Sequence, residues 1–226
     1  MPSGHKQAVL FDWDGTLIDS AGATFRCYQR LFDSYGIAFD RRRFEETYAP
    51  DWYQTYRLLG LPERVWAEAD ARWLALYARE GTPPVTGARH ALERIAAAGL
   101  TQGLVTSGDR RRVEAELKTL GFDRYLKPLI CAGESPRPKP APDPLLAALA
   151  RIDVPPAEAV FVGDSPEDVR MAQAAGVCVI GIPGAFPNRR GLEEARPDHL
   201  AESLTDAVDH ILAHGGTPPG ASCPRP

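Results

Sequence analysis

Two aspartates one residue apart, Asp12 and Asp14, stand where the apolar run Ala8-Val9-Leu10-Phe11 ends. The run reads as a buried strand. At strand spacing both carboxylates project to the same side. Gly15 then permits a tight turn. Anions at the carboxyl end of a buried strand are costly unless a cation meets them, and open α/β sheets bind ligands at that edge. A second apolar run, Ala159-Val160-Phe161-Val162, leads into Gly163-Asp164-Ser165-Pro166-Glu167-Asp168 and supplies two more acids. Ser165 to Asp168 also reads as a helix start, with Ser at the N-cap, Pro at the first helical position and an acid at the third, which would aim Asp168. If all four acids converge, each like-charge pair at about 4 Å repels by ~4 kcal/mol at an effective dielectric near 20. A divalent cation would offset that, and an all-oxygen donor set favours Mg²⁺.

Two more segments carry polar groups at element ends. The strand Gly103-Leu104-Val105 closes on Thr106-Ser107-Gly108, and Lys139 sits among the prolines of Pro136-Arg137-Pro138-Lys139-Pro140-Ala141-Pro142-Asp143-Pro144. A loop that rigid holds an ammonium group with little chain entropy left to lose.

Asp12-Trp13-Asp14-Gly15-Thr16 after an apolar strand resembles motif I of the haloacid dehalogenase (HAD) superfamily of phosphatases and phosphotransferases. The resemblance runs from about Ala8 to about Leu200, with four motifs in family order. It implies that Asp12 is the nucleophile and Asp14 the general acid/base. Thr106 would hydrogen-bond the transferring phosphoryl group, with Ser107 a second phosphate contact through its backbone. Lys139 would bridge the nucleophile and the phosphoryl oxygens. Asp12, Asp14, Asp164 and Asp168 would hold Mg²⁺, Asp168 either as a ligand or just behind one. Trp13 departs from the pattern, since Phe or Leu is usual there.

The function so implied is Mg²⁺-dependent hydrolysis of a small phosphomonoester through an aspartyl-phosphate. Thr16-Leu17-Ile18-Asp19-Ser20 is similar to phosphoglycolate-phosphatase-type members. A β-phosphoglucomutase-like phosphosugar mutase is the alternative enzyme. From another class come a phospho-accepting receiver and a non-catalytic HAD-fold binding protein. A receiver lacks a helical cap and the second acid, and a binding protein would usually have lost Asp12 or Asp14. Asp14 also argues against dehalogenation and phosphonate hydrolysis.

The elements that must position these residues follow from periodicity. Helices are predicted over Ser20–Gly36, Arg43–Tyr48, Asp51–Leu59 and from Pro62 to about Arg79, with no strand before Pro83. This helical block, residues 20–85, corresponds to the C1 cap of the resemblance. Tyr48, Trp52 and Arg57, with Asp51 and Tyr53, are its candidate substrate contacts. Tyr48, Trp52 and Tyr56 also fit one helix face that packs the cap's own core. From residue 86 to 213 strands and helices alternate. Strands are predicted at Thr101–Thr106, Leu126–Ala132, Ala159–Val162, Val177–Ile182 and His199–Leu200. Helices are predicted at Ala88–Ala98, Arg110–Leu120, Pro144–Arg151 and Glu167–Ala175. With residues 1–19 this is an α/β core, a doubly wound parallel, Rossmann-like sheet. Residues 214–226, rich in Gly and Pro, are expected to be disordered.

The composition of the 226 residues is that of a globular protein, and the net charge of −4 leaves no footprint for nucleic acid. Arg41-Arg42-Arg43 and Arg110-Arg111-Arg112 read as solvated helix faces. No apolar run approaches the ~20 residues of a membrane span. The start lacks a secretory apolar region, and the four cysteines lie far apart, so a cytoplasmic protein with reduced thiols is expected. The expected partner is a small phosphorylated metabolite, with no nucleic acid or membrane, acting as a monomer or a dimer.

Overall fold

The computed structural model describes residues 6–49 and 51–214. Strand β1 (Ala8–Phe11) is followed by four helices: α1 (Ala21–Asp33), α2 (Arg41–Thr47), α3 (Trp52–Leu58) and, after a 3-10 turn, α4 (Trp66–Tyr77). Then come α5 (Ala88–Ala97), β2 (Thr101–Val105), α6 (Arg110–Leu120), β3 (Leu129–Ile130), α7 (Asp143–Ile152), β4 (Ala159–Gly163) and α8 (Pro166–Ala175). The described chain closes with β5 (Cys178–Gly181), α9 (Arg189–Glu194), β6 (His199–Leu200) and α10 (Leu204–His214). All six strands are parallel in the order β3-β2-β1-β4-β5-β6. The order reverses between β1 and β4, and the carboxyl ends of those two strands are where such a sheet opens a crevice.

Parallel sheets bury both faces, and the alternation along each strand shows it. Val9, Phe11, Val160 and Val162 join one cluster with Leu92, Ile95, Val113, Leu117 and Val208 of α5, α6 and α10. Ala8, Leu10, Ala159 and Phe161 join another with Leu145, Leu149, Val169 and Ala172 of α7 and α8. The helical insertion has its own aromatic core of Tyr28, Phe32, Phe39, Phe44 and Tyr56. Its two stalks are tied where the chain leaves and re-enters the sheet domain. Asp19 N–H donates to Pro83 O (2.9 Å) and Val85 N–H to Leu17 O (2.9 Å).

Several elements differ from expectation. The strand predicted over 126–132 shrinks to Leu129–Ile130. Pro128 has no N–H to give the ladder, and Ala132 N–H leaves it for Gly108 O (3.1 Å). Helix α9 was not read: only Leu192 of its six residues is buried, and ion pairs Arg189–Glu193 and Arg190–Glu194 line it. Helix α10 was also missed, although Leu204, Ala207, Val208 and Ile211 form a buried stripe at helical spacing. It takes in His214, while the rest of the expected disordered tail, 215–226, lies outside the described residues. Cys27, Cys131 and Cys178 are buried and in no disulfide among the described residues. Among the described residues no helix is long and apolar enough to cross a membrane.

Trp13 is fully buried, edge-on to Phe122, and its indole N–H donates to Glu116 Oε2 (2.6 Å). The large ring fills core space behind β1 and also satisfies a carboxylate whose proton affinity burial raises. Trp13→Phe removes the donor and shrinks the ring, leaving Glu116 Oε2 to Arg112. It is expected to lower unfolding stability by about 1–3 kcal/mol, from a lost hydrogen bond to a carboxylate and a small core cavity, measured as a fall in urea midpoint at constant slope. An unchanged midpoint would mean that the bond contributes nothing.

Candidate active site at the β1–β4 edge

Asp12 follows β1 directly, Asp164 follows β4, and Asp168 lies in the first turn of α8. One carboxylate oxygen from each lies within 4.8 Å of the others, and all three residues are buried. Lys139 reaches in from the proline-rich loop and donates from Nζ to Asp12 Oδ1 (2.7 Å) and Asp168 Oδ1 (2.6 Å). The loop is stapled by Arg137, whose guanidinium donates to both oxygens of Asp143 at the start of α7 (3.1 and 2.8 Å). The ammonium also lies 5.3 Å from the centre of the Phe161 ring.

Asp168 is aimed by the helix it starts. Ser165 N–H and Oγ donate to Asp168 Oδ2 (3.2 and 2.7 Å), while Asp168 N–H donates to Ser165 Oγ (3.2 Å), a reciprocal capping box. Asp164 is less well served. Its Oδ1 has a long contact from Thr16 Oγ1 (3.5 Å), the Asn188 side chain lies close enough to favour its charge, and its Oδ2 is buried without a normal hydrogen-bond partner among the described residues. Two glycines make room for that oxygen. Gly15, at φ +88°, has no space for a side chain because a Cβ would collide with Asp164 Oδ2, and a Cβ at Gly184 would lie 2.9 Å from it.

Burial and crowding show in the proton affinities. Burial, with the anions Asp168 and Asp14 nearby, pushes Asp12 up to about 7 despite Lys139. Burial, with Asp12 and Asp168, holds Asp164 well above the usual carboxylate range. Lys139 moves the other way. Burial opposes its charge, but Asp12 and Asp168 hold it above the ordinary lysine value.

The fourth acid stands apart. The equal spacing of Asp12 and Asp14 suggested one shared cluster, but the structure does not bring Asp14 into it. Arg112 Nη1 and Nη2 donate to Asp14 Oδ1 and Oδ2 (3.1 and 2.5 Å), a bidentate pair that turns the carboxylate toward α6. The expectation that Arg110–Arg112 form a solvated face fails here, since the Arg112 side chain is only 11% exposed. Arg112 also pairs with Glu116 (3.2 Å) and lies 4.9 Å from the Tyr77 ring centre. A signal was available in the sequence. Arg112 and Glu116 each precede a buried apolar residue, Val113 and Leu117, so they border the inward stripe of α6.

Thr106 follows β2, the strand beside β1, and is buried, its hydroxyl accepting from Gly108 N–H (3.0 Å). Ser107 is half-buried in the same turn. Of the insertion residues expected to contact substrate, Tyr48 is the one that meets the sheet domain beside the acids. Its ring stacks on Phe186 of the β5–α9 loop (4.6 Å, 15°), and burial together with the anion of Asp164 holds its phenol well above the ordinary value. Phe186 was not singled out from the sequence, yet a Cβ at Gly15 would come within 2.9 Å of its ring. The expected face of Tyr48, Trp52 and Tyr56 does not form, because α3 begins at Trp52. Trp52 packs against Tyr53, Tyr53 and Tyr56 bond Asp70, and Asp51 caps α3. Arg57 is not brought to the acids. It is largely exposed, stacked over Trp66 (5.0 Å) and 4.0 Å from Glu63.

Comparison with known proteins agrees with this arrangement. The family model described as haloacid dehalogenase-like hydrolase matches residues 9–182. The chain is 29% identical over 208 residues to pyrophosphatase PpaX of Bacillus velezensis, covering 90% of this chain and 95% of the relative. It is 31% identical over 208 residues to validoxylamine A 7'-phosphate phosphatase of Streptomyces hygroscopicus, covering 88% and 95%. Among solved structures, CbbY of Rhodobacter sphaeroides, crystallised with phosphate, superposes with a TM-score of 0.74 at 26% identity, over 89% of this chain and 96% of that one. With most of the chain matched, a six-stranded parallel sheet and an acid cluster at the β1–β4 edge, the protein belongs to the haloacid dehalogenase-like hydrolase family.

Proposed function

We propose that the protein is a phosphatase that hydrolyses a small phosphorylated metabolite through a phosphoenzyme on Asp12, with Mg²⁺ as cofactor. The observation that carries this reading is the pairing of Asp12 with Lys139 at 2.7 Å inside a buried triad of carboxylates. The relatives support the substrate class, since they are named as a pyrophosphatase and as a validoxylamine A 7'-phosphate phosphatase.

The donor set fits a hard divalent cation. Three buried carboxylates offer oxygens within 4.8 Å of one another, and Asp164 Oδ2 has no partner of its own. Asp12 and Asp164 would hold the ion, with Asp168 beside them, its oxygens already engaged by Lys139 and Ser165. When bound, Mg²⁺ supplies positive charge that neutralises the acids and the phosphate.

The remaining chemistry belongs to the chain. Lys139 draws phosphate oxygens toward Asp12 and screens the attacking carboxylate. Asp12 attacks phosphorus in line, forming a carboxylate–phosphate bond as the bond to the leaving oxygen breaks. Asp14 gives its proton to that oxygen, then takes one from the water that cleaves the aspartyl-phosphate, returning both residues to their starting states. Thr106 and the N–H groups of its turn, Ser107 included, bind the equatorial oxygens. The cap, residues 20–85 above a core of 1–19 and 86–213, excludes bulk water, with Tyr48 as its inner wall, stacked on Phe186 of the core. Trp52 and Arg57 are then cap residues without a direct part in the chemistry.

Asp12→Asn is expected to abolish phosphate release from any ester while the melting temperature stays within a few degrees of wild type. Phosphatase activity near the wild-type level in that variant would end the nucleophile assignment. A second outcome concerns the metal and is read without turnover. Because Asp12 rises from 3.8 to about 7 on folding, the metal-free protein should lose stability as pH rises across that window, the ionised form being the one burial opposes. At pH 8 Mg²⁺ should therefore raise the melting temperature of wild type. Asp164→Asn, which removes one crowded charge, should raise the metal-free value by a few degrees, ~1 kcal/mol, and weaken the Mg²⁺ response. Destabilisation by Asp164→Asn, with the Mg²⁺ response intact, would contradict the cation site. In turnover, EDTA should stop the reaction, Mg²⁺ restore it and Ca²⁺ inhibit it, because Ca²⁺ takes more oxygens and can engage both of those on Asp12.

A further inference from the structure

The geometry points to Arg112 as the positioning residue for Asp14: its guanidinium fork holds that carboxylate out of the acid triad and fixes the direction in which it faces the leaving group. The inference rests on the acid/base role proposed above for Asp14.

By spacing alone Asp14 should lie on the same side of β1 as Asp12. A carboxylate free to turn there would join the triad and compete for its cation, leaving no group to move protons. The structure has it elsewhere, with both oxygens taken by one guanidinium (3.1 and 2.5 Å). Arg112 comes from α6, 98 residues further along the chain, and its own freedom is removed from three sides. Nη1 donates to Glu116 Oε2 (3.2 Å) and reaches Tyr77 Oη (3.4 Å), and the Tyr77 ring lies 4.9 Å from Cζ. Glu116 is fixed in turn by the Trp13 indole N–H (2.6 Å). The guanidinium passes through space that Gly108 leaves open, since a Cβ there would collide with Nη2. Thus the turn that carries Thr106 and the residue behind the nucleophile both make way for, or hold, the same fork.

Simple adhesion of α6 to the β1 loop would not call for this chemistry, because apolar packing of equal volume serves as well as a buried ion pair. A planar bidentate fork adds direction, which neither a lysine nor an apolar contact supplies. Tyr77 is the last residue of α4, so the fork is also braced by the helical insertion.

The test uses Arg112→Met, Arg112→Lys, Asp14→Asn and the Asp14→Asn/Arg112→Met double variant. Each is assayed in saturating Mg²⁺ with an alkyl phosphate and with p-nitrophenyl phosphate. Arg112→Met is expected to lower kcat for the alkyl ester by at least about tenfold, toward the ~10²–10⁴-fold loss typical of a missing proton donor. KM should stay within about threefold, and kcat for p-nitrophenyl phosphate, whose leaving group needs little protonation, should fall much less. Arg112→Lys keeps the charge on α6 but lacks the planar fork, and should give the same selective loss even if Arg112→Met folds poorly. Adding Arg112→Met to Asp14→Asn should cost nothing more. Equal losses on both esters, or losses that multiply in the double variant, would overturn the assignment and leave Arg112 a structural ion pair. If Asp14→Asn itself failed to distinguish the esters, the acid/base reading would fall and this inference with it. A selective Asp14→Asn beside a non-selective Arg112→Met would remove this inference alone.

Discussion

Three carboxylates and one ammonium group, all withdrawn from water at one edge of a parallel sheet, set the terms for the rest of the molecule. Asp12, Asp164 and Asp168 repel one another, and Lys139 can meet only two of them. The net charge left over is expensive in a low-dielectric site unless a cation or a second proton arrives. The upward displacement of Asp12 and Asp164 expresses that cost. In the proposed function, a divalent ion would relieve that cost, so the repulsion among the acids would favour its binding.

The surrounding structure keeps the crowded groups from relaxing. Gly15 and Gly184 close on Asp164 without side chains, so its free oxygen cannot turn away. The capping box fixes Asp168, and the Arg137–Asp143 staple fixes the loop that carries Lys139. A fourth acid, Asp14, is paired with Arg112 on α6, which leaves three carboxylates in the cluster and one apart from it. Above them the Tyr48–Phe186 stack joins the helical insertion to the sheet domain. That contact sets an aromatic pair, not a further cation, beside Gly15 and the acid cluster.

Much of this was legible in the sequence because it is local. Asp12, Thr106 and Asp164 each follow an apolar strand directly, and Ser165-Pro166-Glu167-Asp168 spells out a helix start. The order of strands and helices was readable for the same reason. What escaped was non-local or marginal. The partner of Asp14 lies on another helix, so spacing along β1 could not reveal it. Arg112 looked like one arginine among three until burial separated it from Arg111, which is exposed. Tyr48 and Phe186 meet across 138 positions of sequence, and Arg57 turned outward because Glu63 and Trp66 hold it there. Strand β3 was overread because Pro128 and the exit of Ala132 limit pairing that the apolar run alone suggested.

The central claim is that Asp12 carries phosphate covalently during turnover. The most direct measurement is to mix the Mg²⁺-loaded enzyme with p-nitrophenyl phosphate, quench within milliseconds, and reduce with borohydride. An acyl phosphate on Asp12 would be converted to homoserine, identifiable by mass in the peptide that contains residue 12. Homoserine at position 12, dependent on both substrate and Mg²⁺, is the expected result. Rapid turnover with an unmodified Asp12 at every quench time, and equally in an Asp14→Asn variant whose phosphoenzyme should accumulate, would contradict the account and point to direct attack by water.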